Sequence, residues 1–163
     1  MIVENAIVPG STRQLSSIEE CRPELRELHD LWLKLKGSRR MPSRRDFDPV
    51  AVPKLLPDMF LVDVLAGSPR ERRYRVRLQG TAQVDYIGAD WTGSFLHQVV
   101  DRITADRFCA VGDFVVSSRE PRMSTGKLYW VPSKPFYRFE TILLPLSDDG
   151  ISVNMILGLT LLF

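Results

Sequence analysis

The stretch FYRFETILLPLSDDGISVNMILGLTLLF, residues 136–163, carries most of the information about the fold. Two apolar runs, 136–146 and 151–163, flank the turn Ser147-Asp148-Asp149-Gly150, and its glycine suits a left-handed turn position. In the second run, every other residue from Val153 to Phe163 is apolar, which places these residues on one face of a strand. The opposite face carries Asn154, Gly158 and Thr160. The stretch therefore predicts a β-hairpin.

Three further runs predict strands. Residues 59–65 are apolar except for Asp63, and Gly67-Ser68-Pro69 separates them from the run 72–79. In that second run apolar and basic residues alternate, which indicates one buried and one solvent-facing or edge face. The alternating residues are Tyr74, Val76 and Leu78 against Arg73, Arg75 and Arg77. A third strand-like run covers 123–131.

Residues 23–36 predict an amphipathic helix with a wide apolar face. Pro23 suits the first helical turn and Gly37 the end. The apolar residues exceed the number that one packing stripe requires. We therefore expect a homodimer whose interface includes this helix, with the following candidate residues: Leu25, Leu28, Leu31, Trp32, Leu33 and Leu35.

Element order gives the fold class. Two strands precede a region of helices, 80–118, in which Asp101 can cap the longest helix, and three strands follow. Hairpin connections favour an α+β fold, with a five-stranded antiparallel sheet and helices on one face. Residues 1–17 lack periodicity and predict a flexible N-terminal lead, so 18–163 form a single domain that includes the helix 23–36.

Composition excludes several classes of protein. Lysine and arginine number 22 against 20 acidic residues in a chain of 163, so the net charge of +2 makes nucleic acid an improbable main partner. Cys21 and Cys109 lie far apart without ligand-spaced companions, which predicts reduced thiols and no metal site. No apolar run approaches the ~20 residues of a membrane span, and no signal-peptide core is present. We expect a cytoplasmic protein.

Several motifs agree, in order, with one known family. They are Trp32 … Gly37, Met41-Pro42-Ser43-Arg44-Arg45-Asp46-Phe47-Asp48-Pro49, Leu55-Leu56-Pro57, Arg73-Tyr74-Arg75, Gly80-Thr81, Gly88, Thr92-Gly93 and Pro145-Leu146-Ser147-Asp148-Asp149-Gly150. Over about residues 30–160 the chain resembles a bacterial PAS-like family, typified in alphaproteobacteria, whose ligand is mostly undefined. The resemblance implies a five-stranded antiparallel sheet whose helices enclose a small cavity, and a sensory role.

The cofactor chemistries of PAS proteins find little support in the sequence. The flavin photosensor motif is absent, since Cys109 stands in Phe108-Cys109-Ala110, and the only histidines available to a haem are His29 and His97. We predict no cofactor, no metal and no catalytic residue. An isomerase or cyclase of similar build stays open as an alternative, with Asp85 or Asp90 as the base.

Two sets of residues are candidates for binding. Aromatic side chains could line a cavity between the helices and the sheet, and the candidates are Tyr86, Trp91, Phe95, Phe108 and Trp130. The basic stretch offers anion-binding candidates, Arg39, Arg40, Arg44 and Arg45. Arg45 and Asp48 also have the spacing of an RxxD cyclic-dinucleotide motif, although Asp48 is better explained as a helix cap before Pro49.

The sequence thus predicts a PAS-like sensory or interaction module without enzymatic activity. It would act by changing self-association or contact with an unknown signalling protein when a small ligand binds. A ligand-free interaction adaptor and a small-molecule enzyme are the alternatives. The identity of the ligand is not encoded in any motif found in the chain.

Overall fold

One antiparallel sheet organises the chain. The computed structural model describes residues 12–163, so residues 1–11 of the predicted flexible lead lie outside the described part. Six strands form the sheet in the order β1-β4-β5-β6-β2-β3. Their bounds are β1 Thr12–Leu15, β2 Met59–Val64, β3 Tyr74–Gln79, β4 Arg122–Lys127, β5 Arg138–Leu146 and β6 Met155–Leu162.

Within the described residues, four α-helices accompany the sheet. They are α1 Pro23–Lys36, α2 Thr81–Ile87, α3 Leu96–Val99 and α4 Arg102–Ser118. Asp101 caps α4, because its carboxylate accepts a hydrogen bond from the Thr104 N–H at 2.9 Å. Between α1 and β2 the chain makes short 3-10 turns, one of which, Pro49–Ala51, is capped by Asp48.

The C-terminal hairpin is confirmed and forms the centre of the sheet. Strand β6 pairs with β5 on one side and with β2 on the other, both antiparallel. Strand β2 also pairs with β3, so the predicted hairpin of the first half lies beside the last strand. The α+β antiparallel architecture predicted from element order is therefore the observed one.

The sheet has one strand more than predicted. Residues 12–15 fall within the stretch predicted to be a flexible lead, yet they form the edge strand β1, paired antiparallel with β4. Three of its four residues are polar and only Leu15 is buried, so no apolar alternation marks this strand in the sequence. It is held through backbone pairing, which any side chain allows.

Helix α1 packs on the outer face of the sheet and is tied to β5 at both of its ends. At its start the Arg22 N–H donates to Oε1 of buried Glu140 at 2.5 Å. Near its end Trp32 Nε1 donates to the carbonyl oxygen of Pro145 at 2.9 Å. Between these ties, Leu25 and Leu28 are buried against the outer-face leucines of the sheet.

The inner face of the sheet carries α2, α3 and α4. Helix α4 approaches β3 closely at Gly112, where an added Cβ would lie 2.7 Å from Cζ of the Tyr74 ring. On β6, Gly158 leaves the space that the Phe60 ring of β2 occupies, since a Cβ there would collide with that ring. At both positions glycine leaves room for an aromatic ring that a Cβ would displace.

We predict that Trp32→Phe lowers the free energy of unfolding by about 1–3 kcal/mol, because it leaves the Pro145 carbonyl buried without a donor. Urea denaturation measures this loss. Leu33→Ala is the control on the same helix: Leu33 is 41% exposed, so the expected change stays within about 0.5 kcal/mol. Equal effects of the two substitutions would show that the indole tie does not anchor α1.

Candidate functional site

A cavity of about 160 Å³ lies between the inner face of the sheet and helices α2 and α4. All four central strands contribute to its floor, and Phe108 and Val111 of α4 close it from above. Eight aromatic side chains line it: Phe60, Tyr74, Tyr86, Trp91, Phe108, Tyr129, Trp130 and Phe139. The cavity is therefore an aromatic-walled space inside the single core of the domain.

Four of the five aromatic residues proposed for a pocket line this cavity: Tyr86, Trp91, Phe108 and Trp130. Phe95 lies outside the lining, where it begins α3 and makes an isolated backbone bridge with Arg75 of β3. Whether any of the four contacts a ligand stays a prediction.

The aromatic wall is held by edge-to-face packing. The Trp130 ring lies 4.9 Å from the Phe139 ring and 5.7 Å from the Phe108 ring, at interplanar angles of 63° and 65°. Such pairs prefer this geometry because the positive edge of one ring meets the negative face of the other. The segment after β4 is thereby fixed to both the sheet and α4, which keeps the cavity wall in place.

The sequence interpretation missed the polar residues in the floor. Ser124 of β4, Thr141 of β5 and Thr160 of β6 all line the cavity. Strand register places Thr141 directly opposite both Ser124 and Thr160, so the three form one row across the sheet. Thr160 was assigned to the less apolar face of the last strand. That alternation was the available signal, but it does not tell whether the face meets solvent or an interior space.

All groups in the lining are neutral near pH 7. Burial raises the pKa of Tyr86 to about 12 and that of Tyr129 to about 12. The pKa of Tyr74 is raised too, by burial and by the hydrogen bond that its hydroxyl donates to Asp113 Oδ1 at 2.5 Å. Within residues 12–163, the lining contains no lysine, arginine, histidine, aspartate or glutamate.

Comparison with known proteins agrees with this architecture. A family model described as "PAS domain" matches residues 21–161. The chain belongs to the PAS domain family. No curated protein matches it. The narrower resemblance to a bacterial, alphaproteobacterial-type family stays a prediction.

Within the described residues, no helix is both long and apolar enough to cross a bilayer. The longest, α4, has 17 residues and includes charged side chains.

The candidate bases of the enzyme alternative lie outside the cavity of the PAS domain. Asp85 is exposed on α2. Asp90 accepts hydrogen bonds from the N–H and the hydroxyl of Thr92, which lower the pKa of Asp90 and use it as a turn cap. His97 Nε2 lies 3.2 Å from Asp106 Oδ1, and His29 stacks on Trp32 in α1. None of these side chains lines the cavity.

The basic stretch is largely engaged within the PAS domain itself. Arg39 pairs with Asp46 at 2.9 Å, and Arg40 lies 3.6 Å from Glu120. Arg44 donates to the Phe47 carbonyl at 3.0 Å. Arg45 is exposed. These contacts fix the loop between α1 and β2, and anion binding by the four arginines stays a prediction.

The predicted dimer residues on α1 divide by exposure. Leu25, Leu28 and Trp32 are buried within one chain, and Leu31 and Leu35 pack partly against the same core. Leu33 alone of the six is exposed. A dimer through this helix would therefore be formed by Leu33 and its neighbours, and it stays a prediction.

We predict that the stability of the PAS domain falls as pH rises from 10 to 12. Tyr86 and Tyr129 have a pKa of about 12 when folded against about 10 when unfolded, so the unfolded state loses its protons first. Each tyrosine contributes up to about 1.4 kcal/mol per pH unit in this range, and its contribution is fully present below pH 10.

Urea unfolding at pH 7 and at pH 11.5, on the wild type and on the double variant Tyr86→Phe/Tyr129→Phe, measures this linkage. The difference between the two pH values should be several kcal/mol smaller in the double variant, because phenylalanine cannot ionise. An equal difference in both proteins would contradict the buried, neutral state of the two tyrosines.

Proposed function

We propose that this PAS domain is a sensory or signalling module that binds a small molecule in the cavity between its sheet and helices α2 and α4. The observation that carries the proposal is the cavity itself, about 160 Å³ between the sheet and the helices, lined by buried and half-buried side chains. Protein interiors are close-packed, and voids larger than a water molecule are few. A void of this size requires an explanation beyond packing.

Size and chemistry both support a ligand. An apolar cavity of about 150 Å³ is sufficient for a benzene-sized guest. Small-molecule sites are typically apolar and aromatic, with a few polar groups that orient the ligand. The eight aromatic residues and the row of hydroxyls at Ser124, Thr141 and Thr160 match that pattern.

Binding is better supported than catalysis. General acid–base chemistry needs a titratable group within hydrogen-bond reach of the substrate. Among the described residues, the lining offers only tyrosines whose pKa burial has raised, and Asp85 and Asp90 lie outside it. A ligand-free adaptor, the other alternative, would gain nothing from the unfilled space.

A route from the cavity to the surface runs through Tyr74. Its ring lines the cavity, passes over Gly112 of α4, and its hydroxyl donates to Asp113. Asp113 also pairs with Arg73 at 3.2 Å, and both side chains are about one third exposed. A ligand that moves the Tyr74 ring would change this surface pair, where a signalling partner could respond.

We predict that the wild type binds neutral single-ring compounds and that Val111→Phe abolishes the binding, because the added ring fills the cavity from α4. Ile103→Phe is the matched control on the same helix, since Ile103 is 70% exposed and lies outside the lining. Amide chemical shifts during titration with benzene and phenol report binding, and native mass spectrometry reports any molecule that co-purifies.

The expected result is that shifts near β5, β6 and α4 appear in the wild type and in Ile103→Phe but not in Val111→Phe. Absence of binding in the wild type at millimolar ligand, together with an unliganded native mass, would favour the ligand-free adaptor. Equal binding by Val111→Phe would place the site elsewhere.

A further inference from the structure

The floor of the cavity contains hydrogen-bonding groups in an order that selects among ligands. Thr141 Oγ1 lies 3.0 Å from the Leu159 carbonyl oxygen and 2.9 Å from Thr160 Oγ1. A hydroxyl carries one hydrogen. Both contacts are satisfied when Thr141 donates to Leu159 and Thr160 donates to Thr141. The threonine pair then has no hydrogen left and presents only lone pairs to the cavity.

Ser124 offers a hydrogen-bond donor, where the threonine pair offers only acceptors. It is 7% exposed and lines the cavity, and its hydroxyl makes no hydrogen bond to another residue within 12–163. Its hydrogen is therefore available to a ligand. The row across the sheet thus offers a donor at Ser124 and acceptors at the Thr141–Thr160 pair.

The distance between Ser124 and Thr141 leaves room for one hydroxyl group of a ligand. Ser124 and Thr141 are register partners on neighbouring strands, which lie about 4.8 Å apart. One oxygen atom at about 2.8 Å from each of two hydroxyls spans such a gap. A ligand hydroxyl at that position accepts a hydrogen bond from Ser124 and donates one to the threonine pair. The hydroxyl hydrogens of Ser124, Thr141 and Thr160 and of the ligand then all take part in hydrogen bonds.

We propose that the cavity selects a neutral ring compound that carries a hydroxyl group, of the phenol class, with the hydroxyl between Ser124 and the Thr141–Thr160 pair. This inference rests on the proposed ligand-binding function and adds the class of ligand. Apolar rings without a hydroxyl leave the Ser124 donor unpaired. Carboxylates have no hydrogen to donate and meet lone pairs in a lining that contains no cation among the described residues.

The two lining glutamines are each oriented by a hydrogen bond to the backbone. Gln79 Oε1 accepts from the Trp91 N–H at 2.8 Å, and Gln83 Nε2 donates to the Asp58 carbonyl at 3.0 Å. Each amide is thus fixed by a backbone contact of its own. In the hydroxyl row, a free donor on β4 and free acceptors on β5 and β6 are neighbours in the floor of the cavity.

Titration of the wild type at pH 7 with benzene, phenol and benzoate, followed by amide chemical shifts, tests the proposal. We expect phenol to bind about tenfold more tightly than benzene, as two hydrogen bonds of ordinary net strength allow. Benzoate should give no cavity shifts. In Ser124→Ala the phenol preference should fall to about twofold or less, while benzene still binds and so reports an intact cavity.

Thr125→Val is the matched control. Thr125 lies next to Ser124 on the opposite face of β4, and its hydroxyl donates to the Phe139 carbonyl outside the cavity. This variant should keep the full phenol preference. Equal binding of benzene and phenol, cavity binding of benzoate, or an undiminished preference in Ser124→Ala would overturn the hydroxyl assignment while ligand binding stands. If none of the three compounds binds and the native mass shows no co-purified ligand, the proposed function itself fails.

Discussion

The alternation of side chains along β6 is the constraint on which the rest of the structure depends. One face of this central strand carries Met155, Leu157 and Leu159, which are buried under the outer layer. The other carries Ile156, Gly158 and Thr160 and faces the cavity. Side chains of a strand alternate strictly between the two faces of a sheet. A register shift of one residue would therefore move the residues packed under α1 to the cavity face, and the cavity residues to the α1 face. Pairing with β5 and β2 on both sides fixes that register.

The two faces of the sheet are covered in different ways. On the outer face, α1 is tied to β5 through the Arg22 N–H and the Trp32 indole, so the leucines between these ties are removed from water. On the inner face, α4 contacts β3 closely at Gly112, and elsewhere the Phe108, Trp130 and Phe139 rings pack between α4 and the sheet. Both faces bury apolar side chains, but only the inner face also encloses the cavity of about 160 Å³.

Much of the fold could be predicted from the sequence because its signals are periodic. The alternation in 151–163, the helical spacing of Leu25, Leu28 and Trp32, and the Asp101 cap all correspond to observed elements. Strand β1 was missed because backbone pairing leaves no pattern in Thr12–Leu15. Four of the five aromatic candidates lie in the lining and Phe95 does not, and contact of any of them with a ligand stays a prediction. The hydroxyl row was missed because its residues come from three separate strands, and only register brings them together.

The most direct measurement of the central claim is a crystal structure determined under xenon pressure. Xenon enters dry apolar cavities without needing any particular hydrogen bond, so it reports the space independently of ligand chemistry. The account predicts one well-occupied xenon site between Leu143 of the sheet and Phe108 of α4, inside the lining described above. An interior without xenon, or xenon found only beneath α1 on the outer face, would contradict it.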